Sequence, residues 1–180
     1  LKEIIFGENS RITTIGESAF HSCTKLETIT FPEKDFEIID NAFYGTAWSE
    51  NQSPFIIVNN TFVRCLDSVD ELVIPDGITK ICSAACKGVT IKSVKFPESL
   101  TTIDSGAFTD CSITESLVIP DHITTIESSA FFGCSNLKTI VLPETMDERV
   151  LRAAAICSQE ELAVIMLIGQ TEEIAKEANI

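Results

Sequence analysis

Positive charge is scarce in this 180-residue chain: 13 Lys and Arg stand against 27 Asp and Glu, a formal net charge of −14. Without a basic stripe to neutralise phosphates, nucleic acid is excluded as a partner. The same balance repels anionic membrane surfaces. Histidine is almost missing. His21 and His122 lie far apart, and a metal site needs several His, Cys or acidic groups together, so no metal is expected. Long apolar runs are missing too. The longest, Leu162 to Ile168, falls far short of the ~20 residues that cross a bilayer, so no membrane insertion is expected of this segment. The glycines stand singly, which leaves no phosphate-cradling loop. No acid, base and nucleophile converge in spacing. The chain reads as non-enzymatic, with no catalytic residue and no cofactor. It opens on Leu1 inside a repeat and carries no export signal. That opening reads as a cut in a longer protein, so the missing leader is uninformative.

What the chain has in quantity is repetition. Ala130-Phe131 recurs as Ala107-Phe108, Ala42-Phe43 and Ala19-Phe20, with Ala85-Cys86 in the same slot, at steps of 22 or 23 residues. Pro75, Pro97, Pro120 and Pro143 keep the same step. A period of this length with apolar positions at fixed offsets is the mark of a solenoid. Each copy opens with a short strand (Leu26 to Phe31, Ile91 to Phe96, Leu137 to Leu142), which proline closes by fixing φ and removing a donor. A second extended piece follows (Ile12 to Ile15, Ile78 to Ile81, Leu100 to Ile103, Ile123 to Ile126), with threonine in its middle, a residue that favours strands. The Ala-Phe pair then makes a tight helical or 3₁₀ turn.

No single copy can bury its own apolar residues, so the copies stack as coils with parallel strands. Phe20, Phe43, Phe108 and Phe131 are expected to form one internal stack, each ring contributing about 3–5 kcal/mol. Cys86 interrupts it, and a local packing defect is expected there. Cys23, Cys111 and Cys134 take a slot that holds Val89 or Thr46 in other copies, so they read as small buried side chains rather than a disulfide framework. The odd total of seven cysteines leaves at least one thiol unpaired in any case.

The segments Ile103-Asp104-Ser105-Gly106-Ala107-Phe108-Thr109-Asp110-Cys111 and Leu137-Lys138-Thr139-Ile140-Val141-Leu142-Pro143 resemble the BspA-like leucine-rich repeats of bacterial surface proteins. The resemblance covers about residues 1–144. It implies a right-handed leucine-rich-repeat solenoid of parallel β-strands on an extracellular or cell-surface protein that binds host or microbial partners.

One interval departs from the period. Phe55 to Val58 and Thr61 to Cys65 are apolar runs around Asn59-Asn60, which reads as a hairpin inside an irregular coil at residues 46–71. Trp48, the lone tryptophan, reads as covering a core edge rather than as a ligand platform. After residue 144 the composition turns rich in Ala, Glu, Leu and Ile. Asp147 can cap one helix, Ser158-Gln159-Glu160-Glu161 is a capping-box pattern opening a second, and a third ends near Asn179. Residues 145–180 are therefore expected to form a short α-helical C-terminal cap that shields the last coil, the alternative being a helical appendage that docks a partner or leads into a further domain.

The surface is what remains for function. In a strand of this repeat class the third and fifth positions face outward on the concave sheet. These positions single out Thr28, Thr30, Glu71, Val73, Ser93, Lys95, Ser116, Val118, Thr139 and Val141 as candidate contacts with a protein or glycan partner, since contiguous apolar surface beside polar groups marks binding sites. The competing reading is a structural spacer that presents another domain and has no ligand of its own.

Overall fold

The computed structural model describes residues 1–142, apart from Glu8, Asp35 and Asp40, together with residues 164–167. Its elements, in chain order, are β1 (Glu3–Ile5), β2 (Thr14–Ile15), β3 (Thr28–Thr30), β4 (Glu37–Ile38), α1 (Ala47–Glu50), β5 (Phe55–Val58), β6 (Thr61–Cys65), β7 (Val69–Val73) and β8 (Lys80–Ile81). There follow β9 (Thr90–Lys95), β10 (Thr102–Ile103), β11 (Ser112–Ile113), β12 (Leu117–Val118), β13 (Thr125–Ile126), β14 (Thr139–Leu142) and β15 (Val164–Leu167). Strands one repeat apart pair in parallel, as Thr102↔Thr125 and Thr102↔Lys80. Successive copies therefore lie on one another as coils of a solenoid. A single apolar core runs through the coils from Ile15 to Ile140.

Tight turns around the Ala-Phe pair close each coil. The Ala19 N–H donates to Gly16 O at 3.2 Å, and the Cys23 N–H donates to Phe20 O at 3.1 Å. The third residue of each turn is left-handed, Ser18 at φ 55° and Ser22 at φ 57°. The same two slots recur as Asn41 and Gly45, Ala84 and Gly88, Gly106 and Asp110, and Ser129 and Gly133. Positive φ at the third position belongs to the type II turn, so the helical or 3₁₀ turn expected here is replaced by two turns in tandem. The substitution has a physical reason: a helical turn would consume the N–H groups that instead reach the next coil. The Phe20 N–H donates to Ala42 O at 2.8 Å, the Cys86 N–H to Ala107 O at 2.7 Å, and the Phe108 N–H to Ala130 O at 2.7 Å.

The ring row is two stacks rather than one. Phe20 lies 5.7 Å from Phe43 at 10°, and Phe108 lies 5.3 Å from Phe131 at 14°. Between them the slot is held by Cys65 as well as Cys86: the Cys65 N–H donates to Ala85 O at 2.8 Å, as Phe108 does to Ala130. At Cys86, where a local packing defect is expected, a thiol stands in the ring slot. Its side chain is fully buried and in hydrogen-bond contact with the Cys65 thiol. Phe62, in register with Ile81 and also fully buried, belongs to the coil of Cys65.

β5 and β6 pair antiparallel, with a register shift between Ile56 and Ile57. β6 also pairs in parallel with β8, giving the sheet order β13-β10-β8-β6-β5. The hairpin thus places β5 where the preceding coil's strand would pair, and β2–β4 forms a sheet of its own. Just before it, Thr46 caps α1: its Oγ1 accepts from the Ser49 N–H at 3.0 Å and donates to Phe43 O at 2.9 Å. Trp48 is buried edge-on to Phe43 and Phe31 at 5.0 and 5.5 Å, a core position.

The tail corrects one expectation. Val164–Leu167, placed in a helix by the capping pattern at Ser158, is strand β15, parallel to β14 from Thr139↔Val164 to Leu142↔Leu167. β14 would otherwise leave a row of unpaired backbone groups, and a run containing Val164 and Ile165 suits a strand. The other helices expected within residues 145–180 lie outside the described residues.

Candidate functional site

Most strands carrying the outward positions alternate, though in β9 Ser93 and Val94 are both half-buried. In β7, Leu72 is buried while Glu71 and Val73 are exposed. In β3, Ile29 is buried between exposed Thr28 and Thr30. Lys95, Ser116 and Val118 are exposed, whereas Ser93, Thr139 and Val141 are half-buried. Alternation of this kind follows from the two-residue side-chain period of a strand.

The structure gathers these residues in pairs, not in one continuous row. β1 aligns Glu3 with Thr28 and Ile5 with Thr30. β7 and β9 align Glu71 with Ser93 and Val73 with Lys95. β12 and β14 align Val118 with Val141. The hairpin separates the first group from the second. One extra residue separates the second from the third: paired Ile91 and Ile113 are 22 residues apart, whereas Pro97 and Pro120 are 23 apart. The chain takes up that residue between Ile113 and Leu117, so Ser116 lies outside β12. β9 pairs with β11 and not with β12.

Electrostatics divide the candidates further. Lys95 Nζ lies 2.7 Å from Glu71 Oε1, and Lys92 Nζ lies 2.9 Å from Asp70 Oδ2. These pairs satisfy the charges of β7 and β9 across the two coils. Exposed pairs of this kind contribute little stability, on the order of 0–1 kcal/mol. Among the outward strand positions, apolar exposure is largest at Ile5, Val118 and Val73, at 66%, 57% and 47%. The threonine rows of the second extended segment serve cohesion. The Thr101 and Thr124 hydroxyls donate to Thr79 O and Thr101 O at 3.2 and 3.4 Å.

Sequence reasoning missed a recess beside the hairpin, about 350 Å³ in volume. Its wall includes Asn41, Phe43, Ser53, Arg64, Leu66 and Asp67. The Ser53 hydroxyl donates to Asp67 Oδ2 at 2.6 Å, and Arg64 Nη1 donates to Asn41 Oδ1 at 3.0 Å while its guanidinium lies 5.9 Å from the Tyr44 ring centroid. The only signal in the sequence is the break in the period. Of the histidines, His21 stacks on Tyr44 at 5.3 Å, and His122 Nδ1 lies 3.3 Å from Glu98 Oε2. Among the described residues no group of three or more His, Cys, Asp or Glu side chains is placed to hold a metal, and no helix is long and apolar enough to cross a membrane.

Comparison with protein families matches residues 1–54 and 56–178 to the BspA type leucine rich repeat region, in 6 copies. The chain belongs to the BspA-type leucine-rich-repeat family. As a BspA-type chain it is a binding or structural module. Solved structures similar to it include a leucine rich cell surface protein from Faecalibacterium prausnitzii A2-165, at 20% identity and TM-score 0.44, covering 96% of this chain and 61% of that one. The pneumococcal vaccine antigen PcpA is similar at 14% identity and TM-score 0.45, covering 97% of this chain and 58% of PcpA. A leucine-rich repeat protein from Eubacterium ventriosum ATCC 27560 is similar at 16% identity and TM-score 0.44, covering 93% and 73%. This BspA-type chain thus spans about three fifths of the length of the first two. Comparison with curated proteins finds no match.

Proposed function

We propose that this BspA-type chain is a non-catalytic binding module of a secreted or cell-surface protein, holding a protein or glycan partner on its outward strand face during adhesion or host–microbe contact. The observation that carries the reading is Val118, exposed by 57% in a paired strand beside in-register Val141. A strand side chain exposed to that extent, with a second aliphatic in register beside it, leaves apolar surface available to a partner. The polar contacts would come from Thr139, Ser116, Ser93, Thr28 and Thr30, with Val73, Glu71 and Lys95 on the middle pair of strands. Affinity would sum over many weak contacts around an apolar centre.

The test is a Val118→Asp/Val141→Asp double variant, assayed with the parent chain against immobilised matrix proteins and glycans. Binding by the parent, weakened at least about tenfold in a variant with unchanged circular dichroism, is the expected result. Equal binding by both proteins removes this face from consideration. A second reading, a spacer that holds another domain away from the surface, is favoured by the Glu71–Lys95 pair, whose charges are already satisfied within the module. It predicts that the parent chain captures nothing from either panel.

A further inference from the structure

The two phenylalanine stacks are separated by two coils that carry thiols in the ring slot. Cys65 and Cys86 occupy that slot one above the other, as the bond from the Cys65 N–H to Ala85 O at 2.8 Å fixes. Both thiols are free, and their side chains are hydrogen-bonded to each other. Neighbouring parallel backbones lie roughly 4.8 Å apart, inside the Cα separation of about 4.4–6.8 Å that a disulfide spans. We propose that Cys65 and Cys86 are a latent inter-coil cross-link, closed to a disulfide by a peroxide and reopened by a dithiol reductant.

The environment assigns the two sulfurs different roles. The Cys86 S–H donating to Cys65 holds the Cys65 thiol below its ordinary range, against the opposing effect of burial. Burial pushes Cys86 well above its ordinary range, and the bond to Cys65 adds to the shift. Cys65, itself buried at 2% exposure, also donates to Asp67 O at 3.1 Å and adjoins the half-buried Leu66 and exposed Asp67, whereas Cys86 is fully buried. Cys65, as thiolate after losing its proton to solvent, attacks one oxygen of hydrogen peroxide. The O–O bond breaks, and hydroxide leaves to be protonated to water. The resulting Cys65 sulfenic acid is attacked by Cys86 sulfur; the S–O bond breaks, the Cys86 proton leaves with the hydroxyl as a second water, and the S–S bond forms. Two thiols and one peroxide give one disulfide and two waters.

The cross-link would join the hairpin coil to its regular neighbour where ring stacking is interrupted. Its formation is independent of any ligand on the strand face. The experiment treats the full chain with a few equivalents of hydrogen peroxide, blocks remaining thiols, and maps peptides without reduction. The expected result is a Cys65–Cys86 linked peptide, a rise in Tm of about 5 °C, and reversal of both by dithiothreitol. A Cys86→Ala variant should lose the linked peptide and the Tm rise together. Recovery of both cysteines blocked, of Cys65 solely as sulfinic acid, or of a Cys111–Cys134 linkage in place of the expected one, overturns the proposal. So does a linked peptide with unchanged or lowered Tm.

Discussion

At the scale of the residue, the backbone at the coil corners explains what the repeat consensus leaves variable. The slot before Ala-Phe holds Ser18, Asn41, Ala84, Gly106 and Ser129, all at positive φ. The shared requirement is a tolerable left-handed conformation, which costs an ordinary L-residue roughly 1–2 kcal/mol. Ser129 is exposed at φ 58°, so Ser129→Gly is expected to stabilise the chain by about 0.5–1 kcal/mol, measured as a shift of the urea midpoint. Gly133 should behave in the opposite sense. It sits at φ 71°, and a Cβ there would run into the Asp110 carboxylate and backbone. Gly133→Ala is expected to lower stability by about 1–3 kcal/mol. At Cys86, which is fully buried, the ring that the repeat pattern places there is expected to crowd its neighbours. Cys86→Phe is therefore expected to destabilise by about 1–3 kcal/mol through overpacking, and a raised Tm would show that the slot is underfilled after all.

At the scale of the element, each strand is too short to be stable alone, and several consist of two residues. They persist because each pairs with at least one other strand and sets apolar side chains into the common core. Phe108 illustrates this. It is fully buried, stacks on Phe131, and meets Phe96 edge-on at 6.4 Å. Phe108→Ala is expected to cost about 3–5 kcal/mol in chemical denaturation. Phe20→Ala should cost less, because Phe20 is only half-buried. The hairpin is an element of another kind. Apolar runs around Asn59-Asn60 made it legible as a hairpin, but its place at the edge of the five-stranded sheet depended on β8 accepting β6 as a parallel partner. The helix α1 carried a weaker local signal, Thr46 three residues before Ser49, which the short length hid among loop residues.

At the scale of the whole molecule, thiol burial couples stability to pH. Burial pushes Cys82 and Cys111 up to about 12 from an ordinary value of 9.0, with neighbouring Asp104 adding to the shift at Cys82 and Cys134 at Cys111. A folded chain keeps these protons where an unfolded chain has released them. The unfolded state then binds fewer protons, so stability falls as pH rises from about 9 towards 12. The slope is roughly 1.4 kcal/mol per pH unit for each thiol. Urea unfolding in reducing buffer should show lower midpoints at about pH 10.5 than at about pH 8, and Cys82→Ala should flatten that difference.

The period, the core positions and the family were legible from residues alone, because a step of 22 or 23 places like side chains over like and repeats one signal many times. The outward face was legible only as positions. Whether Lys95 and Val118 adjoin turned on one additional residue between Ile113 and Leu117, a difference of register that leaves the apolar pattern almost unchanged. The juxtaposition of Cys65 with Cys86, the recess beside the hairpin, and the pairing of Val164–Leu167 with β14 were decided by tertiary structure. Each depends on which backbone edge or side-chain slot the neighbouring coil leaves open, and that is a property of the stack rather than of any one copy.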